Sequence, residues 1–193
     1  MEVLITLFLI FYSIVLHEVA HGYIAYKLGD PTAKYEGRLS LNPFVHIDPL
    51  GTILLPLFTF FSFGFVFGYA KPVPYNPENL KDRIKDPILI ALAGPTVNLL
   101  LLILFLFLYK QNIDPLINQI SLYLVRTNLI LALFNLLPIP PLDGSKLYLL
   151  FMPLESYILL ETYGFAFLIL FLIFFQNFFF YLINKIFLLI ISF

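Results

Sequence analysis

The chain is 193 residues long, 61% hydrophobic and only 12% charged, about half the ~25% charged share of soluble domains. With a mean hydropathy of +0.94, it reads as an all-α polytopic membrane protein, a single domain over residues 1–193 that partners with the lipid bilayer. A net charge of −1 offers no basic surface to nucleic acid, and the lack of cysteine excludes disulfides and thiol catalysis.

The first element is an uncharged apolar run, Val3 to Leu16, that leads into His17-Glu18-Val19-Ala20-His21. The spacing predicts a helix from about Glu2 to Tyr26, long enough to cross a ~30 Å hydrocarbon core. The run lacks a basic leader and holds this motif, so it reads as a permanent helix rather than a cleaved signal. Residues four apart share a helix face, so His17 and His21 present two imidazoles to one point, the geometry zinc accepts. Glu18 lies one step round, within reach of a water at that point. Satisfied core histidines are the plainer alternative. However, three ionisable groups in five residues of a membrane span are costly unless they serve a function. At 1.5 Å per residue His17 lies roughly 22 Å from the helix start, inside the membrane towards the end where Lys27 emerges.

Residues 27–50 contain Gly29-Asp30-Pro31, Gly37-Arg38 and Asn42-Pro43-Phe44-Val45-His46-Ile47-Asp48-Pro49, a composition of turns. His46 is either a further ligand or substrate contact, or a histidine capping local backbone. Residues 51–69 are apolar but broken by Gly51, Pro56, Gly64 and Gly68. Residues 70–86 are polar, with Lys71, Lys81, Arg83 and Lys85.

A span follows over about Pro87 to Tyr109, with Gly94-Pro95-Thr96-Val97-Asn98 in its first half. Pro95 frees the carbonyl of Ala91, and Asn98 is polar at membrane depth, as inter-helix glue or part of the site. After a turn, another span runs over about Leu116 to Leu137 with Asn128 and Asn135 on one face. Arg126 within it either snorkels to the surface or pairs with a polar neighbour. Pro138, Pro140 and Pro141 end that helix, and Asp143 follows as the natural third ligand, or as the cap of the next helix. Residues 147–193 hold one long helix or two shorter ones.

Asp143 meets His17 and His21 only if its loop lies at the membrane side where the first helix ends. Then 27–50 and 70–86 share one side, and 51–69 must dip in and return as a re-entrant or hairpin segment, giving five to six membrane segments. Charge agrees. Lys27, Lys34 and Arg38 join the four basic residues of 70–86 on that side, against Lys110 opposite, which makes it cytoplasmic. The expected location is the cell membrane, with the site towards the cytoplasm.

Two imidazoles and a carboxylate leave a fourth tetrahedral position open, the mark of a catalytic zinc. Glu18 then serves as general base. A buried amide, Asn135 first and Asn98 second, holds the developing oxyanion. The reaction expected is hydrolysis of a peptide bond within or just under the membrane.

His17-Glu18-x-x-His21, Gly94-Pro95-x-x-Asn98 and Phe134-Asn135-Leu136-Leu137-Pro138, running into Pro141-Leu142-Asp143-Gly144, resemble the site-2 protease family of intramembrane zinc metalloproteases. The matches follow the family's order over residues 10 to 147. Asn42-Pro43 with His46-Ile47-Asp48-Pro49-x-Gly51 resembles a signature of its short branch. The resemblance implies one Zn2+ held by His17, His21 and Asp143, Glu18 as base, and Asn135 steadying the reacting carbonyl. It also implies transmembrane or membrane-tethered substrates, cleaved in regulated intramembrane proteolysis. No PDZ domain, regulatory nucleotide-binding domain or helix before the metal helix is present in this sequence. The stretch between Gly64 and Pro74 is expected to hold an unwound substrate along an edge strand.

Three rivals remain. One is a different zinc protease class with Glu36 or His46 as third ligand. Another is a metal transporter using His17, His21 and Asp143 in transit, which would not need Glu18. The third is a pseudoprotease that only binds substrates.

Overall fold

The computed structural model describes residues 2–63 and 68–192. Residues 64–67, which hold part of the expected substrate edge including Val66, lie outside the described residues.

The elements are α1 (Glu2–Leu28), a short α2 (Thr32–Tyr35), α3 (Leu55–Phe63), α4 (Lys85–Gln111), α5 (Pro115–Asn135) and α6 (Leu154–Ser192). The described residues contain no strand. α1, α4, α5 and α6 are long and apolar enough to cross a membrane, and Pro49–Ser62 is a shorter apolar helical stretch. That makes five apolar segments, the lower end of the expected range. Residues 147–193 resolve into a short turn and one 39-residue helix, the alternative that composition left open.

Local chemistry sets the boundaries. α1 runs two residues past the expected Tyr26 because Gly29, at φ 113°, takes the left-handed position that ends it. Asp30 N–H then donates to Ala25 O at 2.9 Å and Gly29 N–H to Tyr26 O at 3.2 Å, the pairing of a Schellman end. α5 starts at Pro115 with the Asp114 side chain accepting from Leu116 N–H and Ile117 N–H. The loop 27–50, expected as turns, also contains α2 and a 3-10 turn, Pro43–His46, capped by Asn42.

The segment 51–69 returns to where it started. Tyr69 N–H donates to Gly51 O at 3.0 Å, and Thr52 Oγ1 donates to Tyr69 O at 3.0 Å. Two ends joined in this way cannot lie on opposite membrane faces. The flanking loops are likewise tied together. The buried Asp30 carboxylate accepts from Asn76 N–H and Asn79 Nδ2, both at 2.7 Å, and Lys71 N–H donates to His46 O at 2.9 Å. Both basic loops therefore sit at one end of the bundle.

α4 packs on both α1 and α5. Leu102 of α4, Val125 and Leu129 of α5, and Phe179 and Ile183 of α6 form a buried cluster. A second cluster, Ala25, Leu80 and Ile90, joins α1 to α4 at the loop-bearing end. The cavity in front of the histidines is lined by residues of α1, α4 and α6, with Asn135 at the end of α5.

Candidate active site

His17, His21 and Asp143 come together. Asp143 Oδ2 lies 3.2 Å from His17 Nε2 and 3.4 Å from His21 Nε2. One ligand atom from each of the three residues lies within 4.8 Å of the others. The two rings stand edge to face at 83° with centroids 4.6 Å apart.

The hydrogen bonds behind the rings decide what the front atoms can do. His17 Nδ1 lies 2.6 Å from Asn98 Oδ1, and His21 Nδ1 lies 2.7 Å from Ile90 O. Both partners are acceptors, so both Nδ1 atoms carry a hydrogen, and Nε2 is the atom of each ring left to bind a metal. The two Nε2 atoms converge on Asp143 Oδ2, which is buried without a hydrogen-bond partner. Three converging lone pairs repel one another unless a cation sits between them. The donor set of two nitrogens and an oxygen suits zinc.

The backbone is shaped to leave room. A Cβ on Gly94 would lie 2.4 Å from His21 Nε2 and 2.5 Å from His17 Cε1, so only glycine lets α4 pass this close to the rings. The carbonyl that α4 turns to the site belongs to Ile90, which accepts from His21 Nδ1.

A cavity of about 540 Å³ opens in front of the three residues. Glu18 lines it, and its Oε2 accepts from Val73 N–H at 3.1 Å. Tyr69, Ala70, Pro72, Val73 and Tyr75 form one wall. That stretch is held from behind by Arg38, 5% exposed, whose guanidinium donates to the carbonyls of Val45, Lys71 and Pro72. At the other end of the cavity Lys146 Nζ pairs with Glu161 Oε1 at 2.9 Å and sits over the Tyr157 ring.

The remaining candidates divide. Asn135 lines the cavity, and one amide N–H is spent on Leu131 O at 2.9 Å. Asn98 does not fit its expected place as an oxyanion donor. It is 0% exposed, Oδ1 faces His17, and Nδ2 donates to Asn128 Oδ1 at 3.0 Å. His46 is also fully buried and donates from Nε2 to Ser40 O at 2.8 Å, capping local backbone rather than meeting the other histidines. Glu36 is exposed in the turn after α2. Arg126 pairs with Asn184 Oδ1 of α6 at 2.9 Å.

Sequence reading assigned Asp30 and Arg38 only a place in turns and a charge, and Ser13 no role, because their partners are backbone groups or residues far along the chain. Ser13 did carry one signal, since it lies four residues before His17 on the same helix face.

The chain is 39% identical over 173 residues to YwhC of Bacillus subtilis, named as a zinc metalloprotease, and the match covers 82% of this chain and 76% of that one. It belongs to the site-2 protease family. A second member of this zinc metalloprotease family, Rip2 of Mycobacterium tuberculosis, is 33% identical over 135 residues, 68% of this chain and 51% of its own. The chain thus spans about half the length of Rip2. A third, from Methanocaldococcus jannaschii, is 37% identical over 139 residues, 68% of this chain and 62% of its own. These names imply Zn2+ as the cofactor. No protein-family model and no solved structure matches the chain. This site-2 protease family member is a metalloprotease of the membrane.

Proposed function

We propose that the chain is an intramembrane zinc metalloendopeptidase. In this reading it hydrolyses peptide bonds of transmembrane or membrane-tethered substrates, as in regulated intramembrane proteolysis. The observation that carries the reading is the convergence of His17 Nε2, His21 Nε2 and Asp143 Oδ2 in a cavity that Glu18 also faces.

His17, His21 and Asp143 would hold the zinc, which would supply Lewis acidity and a nucleophilic water near neutral pH. Glu18 is the general base. The Val73 N–H fixes Oε2, leaving Oε1 to take a proton and pass it to the leaving amine. Asn135 keeps one amide N–H beyond its bond to Leu131, and that donor steadies the reacting carbonyl, a contribution of ~3 kcal/mol to the barrier. Asn98 is a positioning residue, acting through His17.

A transmembrane helix must unwind locally before attack, and its freed amides need partners where there is no water. The backbone of residues 69–75 runs along the cavity and suits that role. The basic residues of both loops gather at the site end, which favours the cell membrane with that end cytoplasmic.

The test is cleavage of a panel of transmembrane helices by the purified protein and by Glu18→Gln. The reading expects turnover by the wild type and a loss of about 10³-fold in Glu18→Gln with zinc retained. A Glu18→Gln protein that cleaves like the wild type contradicts it. A Glu18→Gln protein that carries zinc across vesicles as well as the wild type points to a transporter instead.

A further inference from the structure

Behind His17 lies a line of buried polar side chains that the chemistry does not use directly. Asn98 Nδ2 donates to Asn128 Oδ1 at 3.0 Å. Asn128 Nδ2 donates to Leu124 O at 2.9 Å and to Ser13 Oγ at 3.2 Å. Ser13 Oγ donates to Leu9 O at 3.1 Å. Asn98 and Asn128 are 0% exposed and Ser13 is 2% exposed, so water cannot substitute for any member.

The line has a direction, set at its far end. A backbone carbonyl only accepts, so Leu124 O requires the amide nitrogen of Asn128 on its side. Ser13 imposes the same choice, because its hydrogen is spent on Leu9 O and its oxygen must accept. Asn128 therefore turns its oxygen to Asn98. Asn98 must answer with its nitrogen, which leaves its oxygen for His17 Nδ1. The ring must then carry its hydrogen on Nδ1 and keep the Nε2 lone pair towards Asp143 and His21. Reversing both amides would set Asn128 Oδ1 against Leu124 O and put a donor on His17 Nδ1. The hydrogen would move to Nε2, where a metal ion has to bind.

We infer that Asn128, locked by Leu124 O and Ser13 Oγ, is a positioning residue that fixes the metal-binding tautomer of His17 through Asn98. His21 needs no such line, because it rests directly on the Ile90 carbonyl. Three helices thus contribute to one imidazole: α1 supplies the ring and Ser13, α4 the relay amide, and α5 the lock.

The inference rests on His17 being a zinc ligand, and His17→Ala tests that separately: zinc bound as tightly as in the wild type would refute the ligand reading itself. The test of the lock uses Asn128→Leu, close in volume and apolar, in the full-length protein. Zinc affinity is read by chelator competition, and the His17 tautomer by 15N chemical shifts of the metal-free, histidine-labelled protein. Loss of outer hydrogen-bond partners typically weakens metal binding 10–100-fold, and a loss of at least about tenfold, with the His17 hydrogen shifting towards Nε2, is expected. In an Asn98→Ala background the same substitution should change affinity by less than about twofold, because the relay is already cut. Ser13→Ala, which removes one of the two locks, should cost about threefold, and provides the reading should Asn128→Leu fail to fold. The inference is overturned if Asn128→Leu, or Ser13→Ala in its place, keeps wild-type affinity and the Nδ1–H tautomer. It is also overturned if the Asn128→Leu loss persists undiminished without Asn98.

Discussion

Val73 and Glu18, 55 positions apart, are joined by one hydrogen bond: the Val73 N–H donates to Glu18 Oε2 at 3.1 Å. The bond ties the proposed base on α1 to the backbone stretch that walls the cavity. On the proposed function, substrate binding and proton transfer share a support. Val73→Pro removes the donor while keeping an apolar side chain, and Val73→Ala keeps the donor. Val73→Pro should lower the cleavage rate about tenfold with zinc content unchanged, and Val73→Ala should stay near the wild type. Equal cleavage of a matched substrate by Val73→Pro and the wild type would remove this support from the mechanism.

Gly94→Ala separates helix stability from metal binding. Alanine favours a helix over glycine by about 1 kcal/mol, so α4 should form at least as well. Yet the new Cβ would lie 2.4 Å from His21 Nε2, and the rings must shift. Zinc affinity should fall at least about tenfold while the helical circular-dichroism signal is kept. Wild-type affinity would show that α4 can move aside freely.

Arg38→Lys tests the strut behind the cavity wall. A guanidinium reaches the carbonyls of Val45, Lys71 and Pro72 together, and an ammonium on a flexible stem cannot span all three. Each charge-assisted bond contributes about 1.5–3 kcal/mol. Arg38→Lys should therefore raise the KM for a transmembrane substrate and leave zinc bound. Loss of zinc together with activity would mean that Arg38 supports the metal end as well.

Much of this arrangement was legible in the sequence, because it rests on periodicity and parity. Histidines four apart share a helix face wherever the helix lies. The requirement that Asp143 meet them forces 51–69 to turn back, as the Tyr69–Gly51 bond has it do. What was not legible depends on backbone atoms. The Ile90 carbonyl behind His21, the carbonyls gathered by Arg38 and the Leu124 carbonyl under Asn128 have no signature in residue type. Asn98 stayed open between two roles for the same reason. An amide at membrane depth can face the cavity or a partner, and only the location of Asn128 and His17 decides which.

Asp30 gives a pH signature apart from the metal. Burial pushes its carboxyl up, but donation from Thr32, Asn79 and Asn76 outweighs burial and holds the group below its ordinary value. A group depressed in the folded state stabilises fully above its unfolded pKa, about 3.9, and loses that contribution as pH falls through the folded value. Asp30→Asn should cost about 2 kcal/mol near neutrality, seen as a lower thermal midpoint in detergent. The gap to the wild type should narrow below about pH 4. A gap of the same size at both pH values would show that the carboxylate charge contributes nothing.

The most direct measurement is zinc per chain, by mass spectrometry, in the purified wild type and in Asp143→Ala. Asp143 lies 126 positions beyond His17 in sequence and 3.2 Å from its Nε2 in the fold. The account predicts about one zinc per chain in the wild type and close to none in Asp143→Ala, whose remaining two imidazoles make an incomplete site. An Asp143→Ala protein that retains zinc at the wild-type ratio and affinity would contradict it.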